Sequence, residues 1–142
     1  MGSSSNGVFY AVEGNLSAAE FIDVLRRSGL AERRPVDDPG TIAAMLKNAS
    51  LTVCARDDGG RLIGVARSLT DFAYCCYLSD LAVDRAWQGR GIGRRLMDLT
   101  HEKAGGAGAV TLLLLSAPGA MTYYPQAGMA HFDNCFGRRR TG

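Results

Sequence analysis

The sequence predicts an α/β fold in which helices flank a mixed central sheet, in the order β-α-α-β-β-β-α-β-α-β. Three observations carry this. Strand-length apolar stretches alternate with segments whose apolar residues recur at helical spacing. Leu51–Arg56 and Leu62–Leu69 flank Asp57-Asp58-Gly59-Gly60, a strong hairpin signal. Val110–Ser116 is a short apolar run that reads as a strand buried on both faces.

Taken in order, Val8–Val12 reads as a short strand. Ser17 caps a helix that runs to about Ser28, with Glu20 completing a capping box. Phe21, Val24 and Leu25 form its buried face, and Gly29 ends it. Residues 30–39 form a charged loop with Pro35 and Pro39, and a second helix covers about Thr41 to Asn48. After the hairpin, Tyr74–Val83 is the next strand. A helix over 92–104 follows, with Lys103 in its last turn and Gly105-Gly106 ending it. After Val110–Ser116, a short helix starts at Pro118 or Gly119 and reaches about Ala127. His131–Phe136 reads as a final strand.

At 142 residues the chain is a single domain, 1–142, large enough for one hydrophobic core. Residues 1–6 read as a loose leader, partly vector-derived, and 137–142 as a frayed tail. The formal net charge of +2 is too small to argue for nucleic acid, and Arg138-Arg139-Arg140 falls in that tail. The Ser-rich start lacks a secretory pattern, and Asn6 occupies the position where myristoylation wants Ser or Thr. The longest apolar run, Ala109 to Leu115, is too short to span a membrane, so the expected location is the cytoplasm. Cys54, Cys75, Cys76 and Cys135 lack C-x-x-C spacing and read as small buried apolar residues. With His101 and His131 the only histidines, no metal centre is expected.

The chemistry concentrates at Leu81-Ala82-Val83-Asp84-Arg85-Ala86-Trp87-Gln88-Gly89-Arg90-Gly91-Ile92-Gly93-Arg94-Arg95-Leu96, a strand end, a glycine loop and a helix start. The loop glycines can take φ > 0 and let a ligand approach without a Cβ in the way. A helix start presents unpaired N–H groups and partial positive charge, which suits phosphate. Arg94 and Arg95 in the first turn, with Arg90 just before, each cost about 0.3–1 kcal/mol unless an anion is near. A bound polyphosphate is the simplest compensation. A pair between Arg94 and Asp98 adds only ~0.2–0.5 kcal/mol. The dinucleotide fingerprint fails, because Arg94 or Leu96 stands where its last glycine belongs, and the P-loop lysine is missing.

What does match is Gln88-x-x-Gly91-x-Gly93 after Leu81-Ala82-Val83-Asp84. This resembles the acetyl-CoA loop of the GNAT family of N-acetyltransferases, Arg/Gln-x-x-Gly-x-Gly/Ala after a strand ending in Leu-Ala-Val-x-Pro. Arg85 stands in the proline's place. A second segment, Ala120-Met121-Thr122-Tyr123-Tyr124-Pro125-Gln126-Ala127-Gly128-Met129, resembles the family's Ala-x-x-Phe-Tyr-x-x-x-Gly-Phe. Tyr123 replaces its first Phe, Met129 its last, and Pro125 is a departure that shortens or kinks this helix. The resemblance runs from about Tyr74 to Met129, and the order of elements is also the family's.

The resemblance implies a GNAT-like fold, acetyl-CoA as acyl donor and a primary amine acceptor, either a small molecule or a peptide. Backbone amides of Gln88, Gly89, Arg90, Gly91, Ile92, Gly93 and Arg94 would bind the pyrophosphate. Leu81, Ala82 and Val83 would pair with the pantetheine arm at a bulge where the central strand splays from its neighbour. Tyr124 matches the tyrosine assigned as the acid that protonates the leaving thiolate, a role suited to a phenol of pKa near 10. Ser116 either contacts the cofactor or caps the following helix. For the base, Asp80 at the strand end, Asp71 or a water chain all remain open. The acceptor region, 17–49, carries no motif, and its loop charges have both signs. Dimers are common in the family, though no interface is readable here. The alternative from another class is an acyl-CoA sensor or partner-binding module that has lost transfer.

Overall fold

A computed structural model of the chain describes residues 3–5 and 7–142. One sheet runs in chain order through β1 (Ser3–Ser5), β2 (Val8–Val12), β3 (Leu51–Arg56), β4 (Leu62–Thr70), β5 (Cys75–Val83) and β6 (Thr111–Leu114). Neighbours are antiparallel except β5 and β6, which are parallel, so the sheet is mixed. Part of the segment read as a loose leader is thus the edge strand β1; residues 1, 2 and 6 lie outside the described residues.

Helices α1 (Ala18–Ser28) and α2 (Pro39–Lys47) cover one face. Their core gathers Phe21, Val24, Leu25 and Ile42 against Cys54, Leu62, Val65 and Ala82 of the sheet. Helix α3 (Ile92–Ala104) covers the other face, where Ile92, Leu96, Met97 and Leu99 meet Tyr10, Val53, Ile63, Ala66 and Leu78. β4 is buried on both faces from Leu62 to Ser68 because a helix layer lies on each side of it.

The caps explain the boundaries. Ser17 Oγ accepts the Glu20 N–H at 3.1 Å, but the Glu20 carboxylate turns to Arg56 instead of closing the box. Arg56 also grips Glu13, which ties the start of α1 to the β3–β4 hairpin. Gly29, at φ 87°, ends α1, and a short 3-10 turn, Leu30–Arg33, follows inside the expected loop. α2 begins at Pro39, two residues before the sequence reading, because Asp38 caps it through the Thr41 N–H and Pro suits the first turn.

Four expectations are corrected. His131–Phe136 forms no strand: the segment is exposed along its whole length, with Phe136 94% exposed, so no burial offsets the entropy of ordering it. β6 is shorter than Val110–Ser116 and only half-buried on one face, through Leu112 and Leu114, while Leu113 and, beyond the strand, Leu115 are exposed at the sheet edge. The last helix divides into a 3-10 turn at Pro118–Ala120 and α4 (Tyr123–Gln126), with left-handed Gly128 just beyond. Cys54 and Cys76 are buried as read, but Cys75 and Cys135 are exposed. No helix of the described residues is long and apolar enough to cross a membrane, and no group of three or more His, Cys, Asp or Glu there could hold a metal ion.

Candidate active site

The site grows from a fault in the sheet. On β5, Asp80 pairs with Arg67 and Leu78 pairs with Ser68, so Ser79 is an extra residue that makes a bulge. A bulge bends its strand and steepens the twist. Pairing with β6 stops at the same place, Leu78 with Leu114, while β5 continues to Val83 beside β4 alone. A wedge therefore opens between β5 and the chain beyond β6.

The backbone groups that face this wedge follow from the ladder. Asp84 N–H donates to the Ile63 carbonyl at 2.8 Å, which sets the alternation. Asp80 and Ala82 turn their backbone groups to β4, and Leu81 and Val83 turn theirs to the open side. Of the three residues expected to offer backbone there, Ala82 does not. Gln88 Nε2 donates to the Val83 carbonyl at 3.0 Å, so this side chain braces the loop against the strand.

The glycine loop comes next. Asp84 caps the 3-10 turn Arg85–Trp87 through the Ala86 N–H and is also gripped by Arg27 of α1 at 2.5 Å. Gly89 and Gly91 adopt φ 79° and 80°, and a Cβ on either would point into open space. Gly91 is the N-cap of α3 without a side-chain cap, and no acid occupies the first turn. The first helical bond runs from Arg95 N–H to the Gly91 carbonyl, which leaves the Ile92, Gly93 and Arg94 N–H groups without intrahelical acceptors.

The arginines around this helix end are placed by the fold. Arg90 stacks on Trp87 at 4.6 Å, and Arg95 lies 6.0 Å from the Tyr10 ring. Arg94 donates to the Gln126 carbonyl at 3.3 Å, and no Arg94–Asp98 ion pair forms among the described residues; the pairing expected from sequence is replaced by a tie from α3 to α4. Trp87, Arg90, Gly91, Ile92 and Arg95, with Val8 and Tyr10, line a hollow of about 430 Å³ beside the loop.

Two tyrosines of α4 lie on the α3 side of the sheet. Their rings meet edge to face at 5.2 Å. The Tyr123 hydroxyl lies 2.8 Å from where a Gly93 Cβ would sit, with Val83 Cγ2 3.7 Å from the same point, so Gly93 makes room for this phenol over the first turn of α3. Tyr124 is half-buried against the α3-side core. Burial pushes its hydroxyl above the ordinary pKa of 10, Tyr123 adds to this, and Arg34 opposes it. Ser116, just past β6, donates to the Ala117 carbonyl at 2.7 Å.

The carboxylates depart from their expected part. Asp80 is 0% exposed, with one oxygen taken by Arg34 Nε and the other by Arg67 Nε. Arg67 also reaches the Met45 carbonyl and Ser79 Oγ, and Arg34 the Arg33 and Ser79 carbonyls. With no exposed surface and a guanidinium on each oxygen, Asp80 has no open approach for an amine, so the reading of Asp80 as base does not suit this geometry. Asp71 sits before β5 at its far end from the loop, where its carboxylate accepts the Ala73, Tyr74 and Cys75 N–H groups, which hold it below its ordinary range. Arg34 and Arg67 were missed from sequence. Arg67, a cation inside the apolar run Leu62–Leu69, was the available signal; Arg34 gave none.

Against this geometry, a family model described as acetyltransferase (GNAT) family matches residues 18–129. Solved structures share the fold. A ribosomal-protein-alanine N-acetyltransferase from Brucella melitensis biovar Abortus 2308 superposes with a TM-score of 0.72 at 22% identity, over 95% of this chain and 99% of that one. An aminoglycoside acetyltransferase from an uncultured soil metagenomic sample, in complex with sisomicin, gives 0.71 at 18%, over 96% and 97%. Aminoglycoside N-acetyltransferase AAC(6')-Iy, in complex with CoA, gives 0.72 at 14%, over 98% of each chain. At these identities the likeness shows the fold alone. No curated protein sequence matches the chain significantly.

Proposed function

The chain belongs to the acetyltransferase (GNAT) family, and from that premise we propose that it transfers the acetyl group of acetyl-CoA to a primary amine of a small molecule or peptide. The observation that carries this is the uncapped start of α3, set behind two left-handed glycines and beside the open edge of β5. A helix end with no side-chain cap, no acid in its first turn and Arg90, Arg94 and Arg95 about it lacks only an anion. Pyrophosphate fits the open space over Gly89 and Gly91, held by amides from Gly89 to Arg94. Gln88 shapes the loop from behind, and the open-side backbone of Leu81 and Val83 pairs with the amide-bearing arm of the cofactor.

When bound, acetyl-CoA supplies an acyl thioester whose C–S bond is exchanged for a C–N bond to the amine. Tyr124, whose hydroxyl burial holds above its ordinary pKa, would give its proton to the thiolate that leaves. Water takes the proton of the amine, since Asp80 is occupied and Asp71 lies remote. Asp80 acts instead as a positioning residue that fixes the bulge. Ser116 borders the wedge at the end of β6.

Thiol release in the presence of acetyl-CoA and a panel of primary amines tests this reading. Tyr124→Phe is expected to lower turnover by roughly a hundredfold or more while acetyl-CoA affinity is kept. Amine-independent release alone, unaltered in Tyr124→Phe, would favour an acyl-CoA sensor.

A further inference from the structure

The wedge has two unlike faces. Leu81 and Val83 pack toward α3, where the glycine loop begins, and Ala82 packs with the α1–α2 layer, as alternation requires. Asp80, two residues before Ala82, shares that second face, and there it meets Arg34 and Arg67. A donor held by the α3 loop leaves this face for the acceptor.

The charges there do not balance. Arg34 and Arg67 have side chains only 22% and 6% exposed, and Asp80 is their one carboxylate partner among the described residues. The carbonyls of Arg33, Ser79 and Met45 satisfy further N–H groups without cancelling charge. Of the acids in the neighbouring loop, Asp37 lies 3.8 Å from Arg26, Asp38 caps α2 through Thr41, and Glu32 is exposed and forms no ion pair with Arg34 or Arg67 among the described residues. One positive charge is therefore left over in a poorly solvated place, which is costly until an anion arrives. Arg34 is the more exposed of the pair, and only three of its five N–H donors are directed to Asp80, Arg33 and Ser79. Its Nη2 donates to the Ser79 carbonyl, which puts the guanidinium at the bulge where the wedge begins.

We propose that the acceptor is a small amine bearing a carboxylate, with the carboxylate on the free edge of Arg34 and the amine turned toward the wedge beside Tyr124. This rests on the reading of the chain as an N-acetyltransferase. A planar guanidinium matches a carboxylate in two parallel bonds, and the same surplus charge repels polycations. The preference is thus opposite to that of an aminoglycoside, the class of ligand in one structure of the same fold.

The test compares ω-amino carboxylates and α-amino acids with their carboxamides, alongside spermidine and sisomicin. Calorimetry reads acceptor binding with and without CoA, and thiol release reads KM and kcat. The expected result is at least roughly tenfold tighter binding and lower KM for the carboxylate of each pair, as a charge-assisted bond implies. Arg34→Gln should raise KM more for carboxylates than for carboxamides, with Arg34→Lys between the two. Equal affinity within the pairs, or preference for the polycations, would overturn the proposal even with a wild-type protein alone. So would a fall in kcat shared equally by both series, which would assign Arg34 to charge developing in the transfer step. Failure to bind acetyl-CoA would remove the acetyltransferase reading itself, and the calorimetric pairs without CoA would still decide the Arg34 site.

Discussion

Arg34 and Asp80, 46 residues apart in the chain, meet at the bulge of β5, where its pairing with β6 ends. The arginine joins the segment between α1 and α2 to the bulge of β5, and Arg67 completes the grip from β4. Asp80→Asn leaves both guanidinium groups facing a neutral amide in the interior. Urea unfolding should show a loss of about 3–5 kcal/mol, as for a broken buried ion pair. An Asp80→Asn protein of wild-type stability with no turnover would instead restore Asp80 as the base.

Gly93 and the Tyr123 hydroxyl form a second close pair. A Cβ at position 93 would stand 2.8 Å from that oxygen. Gly93→Ala is expected to cost about 1–3 kcal/mol through overpacking and to weaken acetyl-CoA binding. Adding Tyr123→Phe removes the offending atom and should recover most of the stability in a double-mutant cycle.

The phenols set the alkaline limit. Burial raises both Tyr123 and Tyr124 above the ordinary value of 10.0. Folded-state values above the unfolded one mean that their contribution is complete below pH 10 and declines as pH rises through the folded values. Turnover should hold its plateau past pH 10 until Tyr124 ionises, and Tyr124→Phe should remove that limb of the rate profile. A decline centred well below pH 10 that Tyr124→Phe leaves in place would contradict the assignment.

Acid should loosen the loop. Burial tends to raise Asp84, but the Ala86 N–H and the Arg27 side chain outweigh it and hold the carboxyl below its ordinary 3.8. A depressed value means stability that is present above the unfolded pKa and lost as pH falls through the folded one. Arg27→Ala removes part of the depression, so acid unfolding followed by circular dichroism should shift to higher pH in that variant.

Much of the site was legible because its chemistry is local in sequence. The loop Gln88–Gly93 announces itself by closely spaced glycines, and Tyr123-Tyr124 lies in a second compact segment. The acidic-residue roles were not legible, because Asp80 takes its part from Arg34 and Arg67, which only tertiary folding brings to it. Arg94 misled for a related reason: Asp98 is its helical neighbour, but a carbonyl of α4 lies nearer. The final strand failed because Phe132 and Phe136 carry a β preference but have no surface to bury them against.

The measurement that bears most directly on all of this is calorimetric titration of acetyl-CoA, with CoA, NADH and ATP as controls and Gly91→Glu as variant. Saturable binding of acetyl-CoA and CoA alone is expected. Gly91→Glu should weaken it, because it forces a side chain into φ 80° and sets a carboxylate against the anion-seeking start of α3. No heat from acetyl-CoA, or equal binding of NADH or ATP, would contradict the account at its centre.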